Sequence, residues 1–163
     1  MPTCGISERS SAVSGENDLG ALVRRRIAEI SELAPGAVGD QMCFQLLRYD
    51  PEGGDFVMSC HTEPWMRNSA GTLHGGLCAA ILDQAMGFVS HCLTPDGATA
   101  QTVQLGVEFH RPLLPGETVI VKVHIVSATR NLMSLTAEAA QESNPEKICL
   151  SGSGIFFNKP KKA

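Results

Sequence analysis

Hydrophobic positions recur along this chain in two rhythms. From Asn17 to Leu33, residues Leu19, Leu22, Val23, Ile27, Ile30 and Leu33 keep the three-and-four spacing of one helix face. Asn17 or Asp18 can cap that helix, and Pro35-Gly36 stops it. Arg24, Arg25 and Arg26 are expected mostly on its solvated side. Farther on the period is two. Segments 39–49 and 55–62 read as extended chain around the turn Pro51-Glu52-Gly53-Gly54. Val103, Leu105, Val107 and Phe109 are expected to face one way, and Gln104, Glu108 and His110 the other. Pro112 and Pro115-Gly116 break the chain. Val119, Val121, Val123 and Ile125 then alternate with Ile120, Lys122 and His124. Segments 132–142 and 148–157 read as two more strands, separated by a turn at Asn144-Pro145.

One segment departs from this alternation. Gly75 to about Leu93 is apolar on nearly every side, and a helix apolar all round is a buried one. The pattern predicts an α+β fold, a central helix wrapped by about six antiparallel strands, with an additional N-terminal helix. Residues 1–16 read as a flexible Ser- and Gly-containing leader, 17–36 as the N-terminal helix, 37–158 as the main domain and 159–163 as a basic tail.

Composition narrows the function classes. The chain has 163 residues, 43% of them hydrophobic and 18% charged, a globular balance at single-domain length. Lys plus Arg is 13 against 17 for Asp plus Glu, a net charge of −4 that argues against a nucleic-acid partner. No uninterrupted apolar run reaches the ~18 residues of a membrane span, and residues 1–14 hold no signal-peptide core. The expectation is a soluble, cytoplasmic protein with no membrane partner. Its cysteines (Cys4, Cys43, Cys60, Cys78, Cys92 and Cys149) form no CxxC pair. Cys78 and Cys92 would lie roughly 21 Å apart along one helix, so reduced thiols are expected rather than disulfides. His61, His74, His91, His110 and His124 lack the local spacings of zinc sites, and neither a metal nor a cofactor is expected.

Asp83 is the sole charged residue between Gly75 and Leu93. Its helical neighbours Gly76, Ala79, Ala80, Gly87 and Ser90 are small, with Met86 the exception. An acid on a stripe of missing volume is either a hydrogen-bonded structural group or the polar end of a ligand site, and the room around it favours the site. At the helix start, the glycines of Leu73-His74-Gly75-Gly76 either ease the turn, with His74 as a cap, or expose amides that can polarise a carbonyl. Gly75 and Asp83 are separated by about 12 Å of helix, too far to act on one carbonyl carbon. If both serve one site, the second helix comes from another copy of the chain.

The pattern Asn68-x5-His74-Gly75-Gly76-x6-Asp83, followed by Gly87, resembles hotdog-fold thioesterases of the PaaI-like, phenylacetate-pathway type. The likeness runs from about Val38 to Asn158 and includes Phe109-His110-Arg111-Pro112 and Pro115-Gly116-Glu117. It implies a hotdog fold, a homodimer or dimer of dimers with active sites at the dimer interface, and hydrolysis of acyl-CoA. It implies Asp83 as general base or nucleophile and the Gly75 N–H on the thioester carbonyl. Asn68 and His74 of the opposite chain would orient thioester and water, and Thr102 would position water. Gly76 and Gly87 would border the substrate. Arg130, Lys122 and Arg111 are candidates for the CoA phosphates, and Met86, Phe88, Val89 and Phe109 for the acyl pocket. A hotdog dehydratase and a non-catalytic acyl-CoA sensor are the competing classes. No Gly-x-Ser-x-Gly elbow occurs, and Gly152-Ser153-Gly154 reads as strand filler near a bulge.

Overall fold

The computed structural model describes residues 18–94 and 99–159; the leader, Cys4, Asn17 and the end of the basic tail lie outside them. Helix α1 (Leu19–Leu33) is capped by Asp18, whose side chain accepts from the Gly20 N–H at 3.1 Å. A short helix α2 (Val38–Gln41) leads into strands β1 (Gln45–Asp50) and β2 (Asp55–His61). A 3-10 turn at Pro64–Met66 precedes the long helix α3 (Gly75–Leu93), followed by β3 (Thr99–Phe109), β4 (Thr118–Ala128), β5 (Leu132–Gln141) and β6 (Leu150–Lys159). The six strands form one antiparallel sheet in the order β1-β2-β4-β5-β6-β3. This is the α+β arrangement that the sequence pattern predicts.

The expected strand over 39–49 is corrected. Its first part is the helical turn α2, and β1 begins only at Gln45. Asp40 Oδ2 accepts from the Gly36 N–H at 2.7 Å and Gln41 Nε2 donates to the Gly36 carbonyl, so side chains stabilise the turn. Gly39 lies under Gln84, where an added Cβ would sit 3.0 Å from the amide. Met42 is buried from the turn after α2 and Phe44 from the residue just before β1, not from a strand face.

The core lies between α3 and the sheet. Cys78, Ile81, Leu82, Ala85, Met86, Phe88 and Val89 are buried on α3 and pack with Phe56, Met58, Val121, Val123, Leu135 and Phe156 of the strands. Each such large side chain contributes roughly 1.5–3 kcal/mol on burial. By length and apolar content α3 would suit a membrane span, but here its apolar sides are in the core. Gly152 has a specific task beyond filling a strand. A Cβ there would meet the Gly106 carbonyl oxygen at 2.7 Å and Leu82 Cδ1 at 3.0 Å, so glycine lets β3 and α3 close on β6.

Strand β3 is an edge strand, paired on one side with β6. Its register shifts between Thr102 and Gln104, leaving Val103 as the extra residue of a bulge. The bulge inverts the alternation. Ala100 and Thr102 line the cleft against α3, and beyond Val103 it is Leu105 and Val107 that pack on the core. Simple alternation would put Val103 on their face; it is instead 60% exposed.

Candidate active site

The approach to α3 is a tight loop organised by Asn68. Its Oδ1 accepts from the N–H groups of Ala70 and Thr72 at 2.9 and 3.2 Å, and its Nδ2 donates to Thr72 Oγ1 at 2.9 Å. His74 is the N-cap of α3, its Nδ1 accepting from the Gly76 N–H at 3.0 Å. An Nδ1 in this acceptor role carries no proton. The Leu77 and Cys78 N–H groups donate to the His74 carbonyl. The Gly75 N–H has no partner among the described residues, whereas the Gly76 amide is already engaged. Both alternatives for the helix start therefore hold at once: His74 caps, and one amide stays free. Phe109 flanks that amide, since a Cβ on Gly75 would lie 3.6 Å from its ring.

Asp83 lies two turns along α3 and is half-buried. Thr102 Oγ1 donates to its Oδ1 at 2.8 Å. The pair borders a cleft of about 160 Å³ between α3, β3 and α1, whose walls include Arg26, Ile30, Gln84, Gly87, His91 and Phe156. A Cβ added at Gly87 would meet nothing within 4 Å, so open space follows the helix at that point. His91 Nδ1 bonds the Gly87 carbonyl at 3.1 Å. Burial holds the His91 pKa below its usual value against the raising effect of that bond, and Arg26 adds to the lowering. His91 is thus neutral near pH 7.

The structure brings Asp83, Thr102 and Gly87 together and leaves other expected residues apart. Within one chain Asn68 and His74 belong to the loop before α3, and Gly75 is separated from Asp83 by about 12 Å of helix. Lys122 is paired to Asp55 at 2.7 Å and borders a separate groove of about 840 Å³ on the sheet. Arg111 Nη1 donates to the Ile148 carbonyl at 2.7 Å, and Arg130 sits in the β4–β5 turn, its carbonyl held by Asn158 Nδ2. None of these three cations lines the Asp83 cleft. Of the expected pocket residues only Phe88 does; Met86 and Val89 are wholly buried in the core, and Phe109 stands by the helix start.

Arg26 was missed. The sequence assigned it to a wet helix face, yet it lines the cleft together with Asp83. The signal was there: Leu19, Val23, Arg26 and Ile30 follow at intervals of four, three and four, one continuous stripe. Arg24 and Arg25 are exposed, as expected. The described cysteines are all free thiols. Burial raises Cys60 to about 12 and Cys78 and Cys92 to about 11, which leaves them protonated and unreactive as nucleophiles.

Comparison with known proteins adds three findings. Residues 70–148 match the family model described as the thioesterase superfamily. Human acyl-coenzyme A thioesterase 13 is 24% identical over 95 residues, which are 58% of this chain and 67% of that protein. Two solved structures share the fold. The Escherichia coli PaaI protein of the phenylacetic acid degradation operon superposes with a TM-score of 0.65 at 14% identity, covering 83% of this chain and 95% of that one. A Streptococcus mutans protein solved with acetyl-CoA bound gives 0.61 at 18% identity, covering 74% of this chain and 91% of that one.

Proposed function

We propose that this chain is a member of the thioesterase superfamily, whose model residues 70–148 match, and that it hydrolyses acyl-CoA thioesters to the free acid and CoA. The human relative's name and the acetyl-CoA held by a protein of the same fold support that substrate class. The observation that carries the reading is the 2.8 Å bond from Thr102 to Asp83 in a cleft against an edge strand.

The chemistry follows from the residues. Thr102 holds one carboxylate oxygen of Asp83 and leaves the other for a water molecule or for the thioester itself. As general base, Asp83 removes a proton from water as the oxygen attacks the carbonyl carbon. As nucleophile, it attacks directly, and water later cleaves the mixed anhydride; in both routes the tetrahedral intermediate collapses by breaking the C–S bond, and the CoA thiolate leaves and takes up a proton. In both routes the tetrahedral oxyanion needs a preorganised donor, and the free Gly75 N–H at the positive end of α3 is suited to it.

One chain holds these two halves too far apart, so the working site is built by two copies. Strand β3 has an unpaired edge among the described residues, with Val103 and Phe109 60% and 58% exposed along it. An edge of this kind pairs readily with another strand. In this arrangement Asp83 and Thr102 of one copy face Gly75, Asn68 and His74 of the other.

The test is a panel of acyl-CoA thioesters with thiol release followed for the wild type and Asp83→Asn. Release by the wild type and its loss in the variant support the reading. Tight acyl-CoA binding with no release would make the protein a sensor, and undiminished release by Asp83→Asn would remove Asp83 from the mechanism.

A further inference from the structure

The Asp83 cleft is closed at its far end by α1, which lies outside the segment matching the family model. We propose that Arg26 of this helix makes the site selective for acyl groups that end in a carboxylate. The inference rests on reading the Asp83 cleft as the thioester site and goes beyond it by naming the acyl class.

Asp83, Gly87 and His91 stand one turn apart in succession on α3, so the cleft follows the helix for about 12 Å. At one end is the carboxylate of Asp83. At the other are His91 and Arg26, close enough for the Arg26 charge to act on the imidazole. His91 brings no charge of its own, since its Nδ1 is bonded to the Gly87 carbonyl and burial keeps it neutral. Arg26 is partly withdrawn from solvent, its side chain 30% exposed. Its acidic neighbour is Glu29, at 3.7 Å, too long for a hydrogen-bonded pair, and Glu29 also faces Arg25 at 3.5 Å. The five-donor guanidinium thus has donors to spare beside the cleft.

Between the two ends the walls are apolar, formed by Ile30, Phe88, Ala100 and Phe156, with the open space over Gly87. An acyl group laid along this path places its thioester carbon at Asp83 and its tail at Arg26. Allowing roughly 3 Å for contact at each end, the path fits a spacer of about four to six carbons. A terminal carboxylate can take a bidentate pair from Arg26. A methyl end would instead remove water from a guanidinium whose pair with Glu29 is only a 3.7 Å contact, which disfavours plain alkyl chains.

The test compares hexanoyl-CoA with the six-carbon thioester that ends in a carboxylate, adipyl-CoA. Steady-state hydrolysis is measured for wild type, Arg26→Gln and Arg26→Lys, and calorimetric binding of both thioesters on the Asp83→Asn background. The expected result is at least a tenfold preference of the wild type for adipyl-CoA, in kcat/KM and in affinity. Arg26→Gln should abolish the preference by raising KM for adipyl-CoA, and Arg26→Lys should restore part of it. Equal use of both thioesters, or a preference that survives Arg26→Gln, overturns the proposal while leaving the hydrolase reading intact. If neither thioester is cleaved, the hydrolase reading fails, and the binding measurements still decide whether Arg26 selects a carboxylate.

Discussion

The hydroxyl of Thr102 on the edge strand β3 is hydrogen-bonded to the carboxylate of Asp83 on the core helix α3, 2.8 Å away. The bond exists because Val103 bulges out of β3 and turns residue 102 toward the helix. It fixes the orientation of Asp83 without consuming its second oxygen. Hydrolysis by Asp83→Asn is expected to fall by about a hundred- to ten-thousandfold, the usual range for a lost general base. Thr102→Val should lower kcat by about ten- to a hundredfold, the equivalent of one hydrogen bond to a charged group. Unchanged circular dichroism and thermal midpoints would show that both losses are chemical.

A site shared between two copies predicts complementation. Asp83→Asn and Asn68→Ala are each expected to be inactive alone. When they are unfolded together and refolded as a mixture, about a quarter of wild-type activity should return, because each mixed dimer has one intact site. Val103→Lys, which places a charge on the free edge of β3, should yield an inactive monomer by light scattering.

Gly152→Ala is expected to destabilise the fold by about 1–3 kcal/mol, read from denaturant midpoints. The added carbon would be 2.7 Å from a backbone oxygen, which cannot rotate away as a side chain does.

Gly87→Ala should act in the opposite direction on stability. The position is helical and open, so the substitution should gain up to about 1 kcal/mol of helix stability. The same methyl group narrows the cleft, and kcat/KM should fall more steeply for longer acyl groups than for acetyl.

Stability should rise with pH through the range in which His91 titrates. Its folded pKa is held below the usual 6.5 by burial, so the unfolded chain binds the proton more readily. The stabilisation is complete above pH 6.5 and is lost as pH falls through the lower, folded value. His91→Gln should flatten this part of the curve in urea titrations at stepped pH.

Much of this was legible in the order of residues. The apolar run of Gly75–Leu93 identified the core helix because a helix without a polar face must be covered, and the period-two segments identified β2, β5 and β6 to within about two residues at their ends but missed the first four residues of β3 and the last three of β4. Asp83 stood out as a lone charge on that helix. The strand over 39–41 was misread because Asp40 and Gln41 bond back to Gly36 and close a helical turn, which a period of apolar positions does not register. The alternation of β3 was misread at Val103 because a bulge depends on its pairing with β6.

The sequence by itself determined which of the longer segments are helix or strand, which helix is buried, and that one acid on that helix lies among small neighbours. Those properties depend on side-chain period and on the cost of burying charge, both of which are local. Only the tertiary structure decided what surrounds that acid. Thr102 reaches it through a bulge, Arg26 enters the cleft because α1 packs across α3, and Lys122 is instead engaged by Asp55. Contacts between residues distant in the chain depend on how the elements pack, and periodicity carries no record of that packing.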